Sequence, residues 1–516
     1  MKHTAKRLGA VCLLCVILSS CGTADRDTAA IKESTGEAID TISSETATEK
    51  AGAIDDLPSD LNLNGEEVSF LYRDEIANEF YTAELNGDVV NDALYNSRVA
   101  VEDRLNAKIN AILKPGHLLD VRQSYMLDII KAVTSGDSVY DWVDLMIGNA
   151  SVMLQNGIFQ NIASNEYIDL TKPYYLDGIL ENMSFDGNVY FLSGDASLGY
   201  LKCTYCYYVN LQTAENHAID IYDIVESGKW TIDKCRELTE LSGTDLNGDG
   251  KYDENDQLGF ISHDHNHPKG FLTALGGDMY TRDENGIWRF SFGSDRDAAM
   301  CDKLYALFRE TPGFYAYNGT NAVPKTLPGY NALSDKFKSG GILGISAEMD
   351  DAVSQYRDME DPYGIIPYPK LDEAQEKYHS VSRNTHNSFS LTTTAKNPSA
   401  AGAVMEALSA ANYSDALPAY FETALKTKYS ESSETAQMFD LVKESTTLTF
   451  WYVFANAVGS PDRLFLESSV EAKSEGTMAS TVAKSRSSME KALEKYLETI
   501  EEVASGNIKG GKKTGY

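Results

Sequence analysis

Residues 66–75 read "EEVSFLYRDE". Val68, Phe70 and Tyr72 alternate with polar neighbours, the period-two pattern of a strand. A helical stretch follows, "NGDVVNDALYNSRVAVEDRLNA" (86–107), with Val90, Leu94, Val101 and Leu105 on one stripe. "KINAILKPG" (108–116) then reads as a strand. "DVRQSYMLDIIKAVTSGDS" (120–138) reads as a helix stopped by Gly136. "DWVDLMIGNA" (141–150) reads as an apolar strand ending in a Gly-Asn loop. Strand, helix, strand, helix, strand predicts an α/β fold with a mostly parallel sheet covered on both faces. In such sheets ligands gather at the carboxyl ends of the strands. Arg73, Asp74, Gly148 and Asn149 stand at those ends, which makes Arg73, Asp74 and Asn149 candidate binding residues.

The alternation restarts further on. "VYFLSGD" (189–195) and "TYCYYVN" (204–210) are expected strands. "WTIDKCRELTELSG" (230–243) is an expected helix of about ten residues, with Thr231 as its cap and Gly243 as its stop. "LGFIS" (258–262) is a strand and "DRDAAMCDKLYALFRE" (295–310) a helix. Near the end, "SRSSMEKALEKYLETIEEVASG" (485–506) aligns Met489, Leu493, Tyr496, Leu497, Ile500 and Val503 on one helical face. Trp142 reads as core and Trp230 as a structural helix start. No repeat of solenoid period occurs.

The 516 residues suffice for two domains, and a 42% hydrophobic composition supports packed cores. The net charge of −32 repels phosphate backbones and anionic bilayers, so nucleic acid is a poor partner. Thirty tyrosines supply flat apolar rings with a polar tip, which suit sugars as well as cores.

The first residues form a targeting segment. Lys2, Lys6 and Arg7 precede the apolar run "LGAVCLLCVILSS", too short for a mature membrane span. It ends in "LSSCG" (18–22), which resembles the lipobox of bacterial lipoproteins. On that resemblance residues 1–20 are a signal peptide, Cys21 is the lipidated N-terminus, and the membrane is reached through the lipid alone. Residues 21–61 are rich in Ser, Thr, Ala, Glu and Asp and are expected to be a disordered tether. Of the other cysteines, Cys203 and Cys206 have redox-like spacing but lie in an apolar, aromatic run. With Cys235 and Cys301 they read as buried small residues.

One short loop carries metal-ligand spacing. From Asp245 the sequence "DLNGDGKYDEND" places Asp245, Asn247 and Asp249 at positions one, three and five. Gly250 follows at the turn, Lys251 offers its carbonyl at seven, Asp253 stands at nine and Asp256 at twelve. Calcium takes six to eight oxygens, and this pattern supplies them. Asp at twelve is shorter than the usual Glu, so closure there is weaker or completed from elsewhere. A single such loop is expected to bind a structural Ca²⁺. "SHDHNHP" (262–268) places three histidines together, which suits zinc only with a further ligand from elsewhere. No HExxH, GxSxG or GxxxxGK motif is present, so no catalytic constellation stands out.

The order of landmarks resembles the extracellular solute-binding proteins of ABC importers (family 1), the large family that includes maltose-binding protein. The matching stretches are "YDWVDLMIGNA", "YFLSGDASLGYLKCTYCYYVN", "KWTIDKCRELTELSG", "ALGGDMYTRDENGIWRF", "KFKSGGILGISAEM", "YGIIPYPKLDEAQEKYHS", "NSFSLTTTAKNPSAAGAVMEAL" and "FWYVFANAV". The resemblance covers nearly all of the chain after residue 62. No one stretch is decisive; their joint order is. It implies a type II two-lobed periplasmic-binding-protein-like fold, with lobe 1 at 62–203 and 344–391 and lobe 2 at 204–343 and 392–516. It implies a monomeric, non-enzymatic carrier of a carbohydrate, with a permease pair and an ATPase as partners. By the same resemblance Asp264, His265 and Asn266 line the cleft. Trp451 and Tyr452 either stack on a sugar there or pack between helices. Asp195 is a candidate hydrogen-bond partner for a sugar hydroxyl. The tether and the Pro-Tyr-Pro-Lys segment point to the outer face of a Gram-positive cell membrane. A surface glycan-processing enzyme and a non-transport adhesin or sensor are the alternative readings.

Overall fold

The computed structural model describes residues 55–317, 330–426 and 433–506. Cys21, the signal segment and most of the tether lie outside the described residues. Residues 55–61, which the sequence places at the end of the tether, pack on the body. Leu57 is buried, and the Asp55 carboxylate pairs with Arg104 at 2.7 Å.

Eleven strands occur among the described residues: β1 (Glu66–Arg73), β2 (Ala107–Lys114), β3 (Trp142–Met146), β4 (Tyr205–Asn210), β5 (Leu258–His263), β6 (Tyr280–Arg282), β7 (Trp288–Phe290), β8 (Tyr315–Tyr317), β9 (Ile342–Glu348), β10 (Tyr363–Ile366) and β11 (Asn387–Leu391). The first sheet has the order β11-β3-β1-β2 and the second β10-β4-β9-β5-β8; β6 and β7 form a separate hairpin. In the first sheet β1 runs parallel to β2 and β3, as the alternating pattern requires, while β11 is antiparallel to β3. In the second, β5 is parallel to β8 and β9, and β4 is antiparallel to both its neighbours. Each sheet thus contains one reversed strand next to a point where the chain changes sheet. The architecture is α/β with two sheets flanked by helices.

The segment boundaries differ from those expected. Strands β9 and β10, expected in lobe 1 within 344–391, pair with β4 in the second sheet; β11 alone of that segment joins the first. Conversely helix Pro398–Ser414, expected in lobe 2, packs on helix Val89–Leu105 and on β1. Helix Ser433–Glu444 returns to β10, and helix Thr477–Ala504 touches both halves. Apolar content alone cannot assign such pieces, because either sheet would bury them equally well.

Local signals held where one residue decides the geometry. Thr231 accepts a hydrogen bond from the Lys234 amide and starts helix Ile232–Ser242. Trp142 and Trp230 are fully buried, and each indole N–H donates to a backbone carbonyl. Met489, Leu493, Tyr496 and Ile500 are buried on the last helix, and Leu497 and Val503 pack half-buried beside them. Two expectations changed. The Gly-Asn pair at 148–149 lies inside helix Ile147–Met153, not in a loop. "VYFLSGD" makes two isolated bridges, Leu192 to Phe389 and Gly194 to Tyr175, and no sheet strand. The four cysteines Cys203, Cys206, Cys235 and Cys301 are unpaired, and burial pushes every thiol up, which makes poor nucleophiles. Among the described residues no helix is long and apolar enough to cross a membrane.

Candidate functional site

Three chain segments run side by side between the sheets. Thr204 bridges Ser382 in antiparallel fashion, with Tyr205 N donating to Val381 O (3.1 Å) and Arg383 N to Cys203 O (2.9 Å). Ser380 bridges Thr446 in parallel, with Ser380 N donating to Ser445 O and Thr447 N to Ser380 O. This ribbon of segments is where the chain passes between the two sheets.

The groups around this ribbon come from both halves. On the first sheet, Arg73 at the end of β1 is buried and forms a two-pronged pair with Asp144 of β3, at 2.8 and 3.0 Å. Its Nη1 also donates to His117 Nδ1 (3.2 Å) and to Thr385 O (3.4 Å), and Asn387 Nδ2 donates to the same Asp144 (3.0 Å). Gly116 permits this: a Cβ there would meet the Tyr125 ring at 2.6 Å and Arg73 Cγ at 3.1 Å. On the second sheet, Glu348 at the end of β9 accepts from Arg383 at 2.9 Å. Ser346 Oγ links His267 (2.8 Å) to Ser262 (2.9 Å), and Tyr205 and Tyr452 share a hydroxyl–hydroxyl hydrogen bond of 3.1 Å. Lys202 lies between Glu79 (3.8 Å) and Asp350 (3.5 Å). Burial pushes the Glu79 carboxyl up to about 7 despite Lys202 and Arg73 nearby.

The expected residues fall into different environments. Arg73 reaches the ribbon but is committed to Asp144. Asp74 is exposed in the first turn of the 3-10 helix Asp74–Glu79. Asn149 is half-buried, and the amides before it, Ile147 and Gly148, donate to His386 O and Asn384 O of the ribbon. Asp264, His265 and Asn266 are half-buried after β5; the His263 ring accepts the amides of His265 and Asn266, while the His265 ring turns to Glu471 at 3.7 Å. Asp195 is buried and accepts from Tyr200 OH (2.8 Å); burial pushes its carboxyl up to about 7. Trp451 is fully buried, with its indole N–H on Thr273 Oγ1 (3.1 Å), so it fills core. Tyr452 is likewise buried. The sequence reading missed Arg383, Glu348, Lys202 and Glu79. The polar run "RNTH" (383–386) between two apolar stretches was the available signal.

The calcium-like loop adopts tight Asx turns. Asp245 accepts the amides of Gly248 (2.7 Å) and Gly250 (2.8 Å), Asn247 that of Asp249, and Asp249 that of Lys251. Asp256 is buried and accepts from Asp253 N and Leu246 N; these bonds hold its carboxyl below the usual range. Gly248 and Gly250 both have positive φ, which the turns require. The donors are hard oxygens with lone pairs left over, as calcium demands. No group of three acid, His or Cys side chains among the described residues converges to hold an ion.

No protein-family model matches the sequence, and no curated protein matches it. Solved structures do match in fold. UspC of M. tuberculosis aligns at 13% identity and a TM-score of 0.54, over 83% of this chain and 100% of that one. The galacto-N-biose-/lacto-N-biose I-binding protein of the ABC transporter from Bifidobacterium longum, in complex with lacto-N-biose, aligns at 14% and 0.53, over 84% and 98%. A sugar transporter from Rhizobium etli in an open conformation aligns at 13% and 0.53, over 84% and 99%. The chain therefore has the two-lobed periplasmic-binding-protein-like fold of these neighbours.

Proposed function

We propose that this chain is the substrate-binding component of an ABC importer and captures a carbohydrate between its lobes. The observation that carries the reading is the ribbon of three segments joining two α/β halves, in a fold shared over nearly the full length of sugar-binding neighbours. Among these are the lacto-N-biose complex and a cyclo/maltodextrin-binding protein complexed with maltotetraose, the latter at a TM-score of 0.50. A ligand that touches both halves stabilises their closed arrangement, and a permease then distinguishes closed from open. In this reading the chain binds and releases its ligand unchanged. Asp264 and Asn266 after β5 and Asn149 near the ribbon supply polar contacts.

Small-angle scattering tests this with the full chain and a panel of mono- and oligosaccharides. At least one saccharide lowers the radius of gyration and raises Tm. If none does either, the reading fails; turnover of a glycan during the same incubation replaces it with the enzyme reading.

Two finer parts belong to the same proposal. Cys21 carries the lipid that holds the protein on the outer face of the membrane, and Cys21→Ser releases it to the medium. The loop 245–256 takes one structural Ca²⁺, supported by oxygen donors at the required spacing and by Asx turns that shape it. Loss of that ion loosens the approach to β5, because the Asp256 carboxylate ties the two ends of the loop directly before that strand.

A further inference from the structure

We propose that the saccharide taken by this cleft bears an anionic group, a uronate carboxylate or a sulfate ester, and that Arg122 is the residue that binds that group. This rests on the carbohydrate-binding reading above and narrows it.

Arg122 lies in the first turn of helix Leu119–Thr134, which follows the carboxyl end of β2. Its Nη2 donates to the His117 carbonyl (2.9 Å), and the ring of the same His117 accepts from Arg73 Nη1. Arg73 in turn reaches Thr385 O, two residues past Arg383. Three guanidinium groups therefore share one edge of the first lobe and the ribbon. Two are neutralised: Arg73 by Asp144 and Arg383 by Glu348. Arg122 makes no ion pair among the described residues, and its Nε is enclosed by protein without an acceptor. The carboxylate of Glu75, in the 3-10 helix Asp74–Glu79, is held by the backbone amides of Gly116 (3.0 Å) and His117 (3.1 Å).

The energetics explain what such a group is for. A half-buried guanidinium lacking a counter-charge is a cost to the folded protein unless a ligand supplies the charge. Its planar fork matches a carboxylate or a sulfate, and such charge-assisted bonds are roughly twice as strong as neutral ones. A neutral sugar offers hydroxyl oxygens to the same fork but leaves the charge uncompensated. Burial, with Arg73 and Arg383 nearby, pulls the Arg122 guanidinium below its ordinary range, so the site already disfavours a bare cation there. Neutral His117, held down to about 4 by burial and by Arg73, adds no competing charge.

The test uses the full chain and calorimetry with matched probes: di- and trigalacturonate, the corresponding neutral galacto-oligosaccharides, a sulfated disaccharide, and sodium sulfate alone. A uronate or a sulfated sugar binds about tenfold tighter than its neutral partner or better. Arg122→Ala removes that preference while neutral binding weakens by much less than charged binding, Arg122→Lys restores part of it, and Tm without ligand does not fall. Equal binding of charged and neutral sugars, with a ratio indifferent to Arg122→Ala, overturns the proposal and leaves the carbohydrate reading standing. Sulfate alone binding as tightly as the sulfated sugar overturns it in favour of a free-anion site. Failure of every sugar overturns the carbohydrate reading, and this proposal with it.

Discussion

Arg73 and Arg122 touch the same residue, His117, yet are placed in opposite ways. Arg73 is buried, satisfied by Asp144, and tied to the crossing segment through Thr385. Arg122 is half-buried and has no carboxylate. The first is architecture; the second is a group whose partner comes from outside. A charge beside the crossing segments is informative only once its counter-charge is known.

The sharpest way to break this contrast is to truncate each side. Arg73→Ala leaves Asp144 buried and unpaired, and urea unfolding should show a loss of about 3–5 kcal/mol. A loss as small as that of Arg122→Ala would erase the distinction. Trp451→Ala should cost a similar amount, about 3–5 kcal/mol, as a core cavity. A Trp451 variant of unchanged Tm that loses sugar binding would instead make it a stacking residue. Chelation comes next: if the loop holds calcium, adding EGTA to protein kept in free Ca²⁺ at about 100 times Kd removes about 2–3 kcal/mol, read as a lower Tm. An unchanged melting curve counts against the ion.

Asp195 gives a smaller, pH-dependent effect. Its folded carboxyl titrates at about 7, above the ordinary value of 3.8. Its contribution is therefore full below about pH 4 and lost as pH rises through 7. Asp195→Asn should flatten the dependence of Tm on pH between 5 and 8, by about 2 kcal/mol across the window. The smallest effect is that of Arg122→Ala on unliganded stability, within about 0.5 kcal/mol. A larger loss would mean that Arg122 is architecture as well.

Legibility followed the range of the signal. β1, the cap at Thr231 and the apolar face of the last helix were readable because neighbouring residues set them. Arg73 was found for its place at a strand end, but its engagement by Asp144 was not, since that partner lies 71 residues away. Trp451 offered two environments to one apolar ring, and only its contact with Thr273, 178 residues distant, separates them. Arg383 and Glu348 went unnoticed because each is an ordinary charge until the ribbon brings them together.

By itself the sequence determined the α/β alternation, the cap at Thr231, the oxygen spacing of residues 245–256 and the short apolar run at 8–20, all of which depend on residues within a turn or two of one another. Only the tertiary structure decided which sheet received β9, β10 and helix Pro398–Ser414, and which charges at the ribbon were left without a partner. Those outcomes depend on contacts between segments far apart in the chain, where hydrophobic burial is non-directional and gives no indication of which surface will be met.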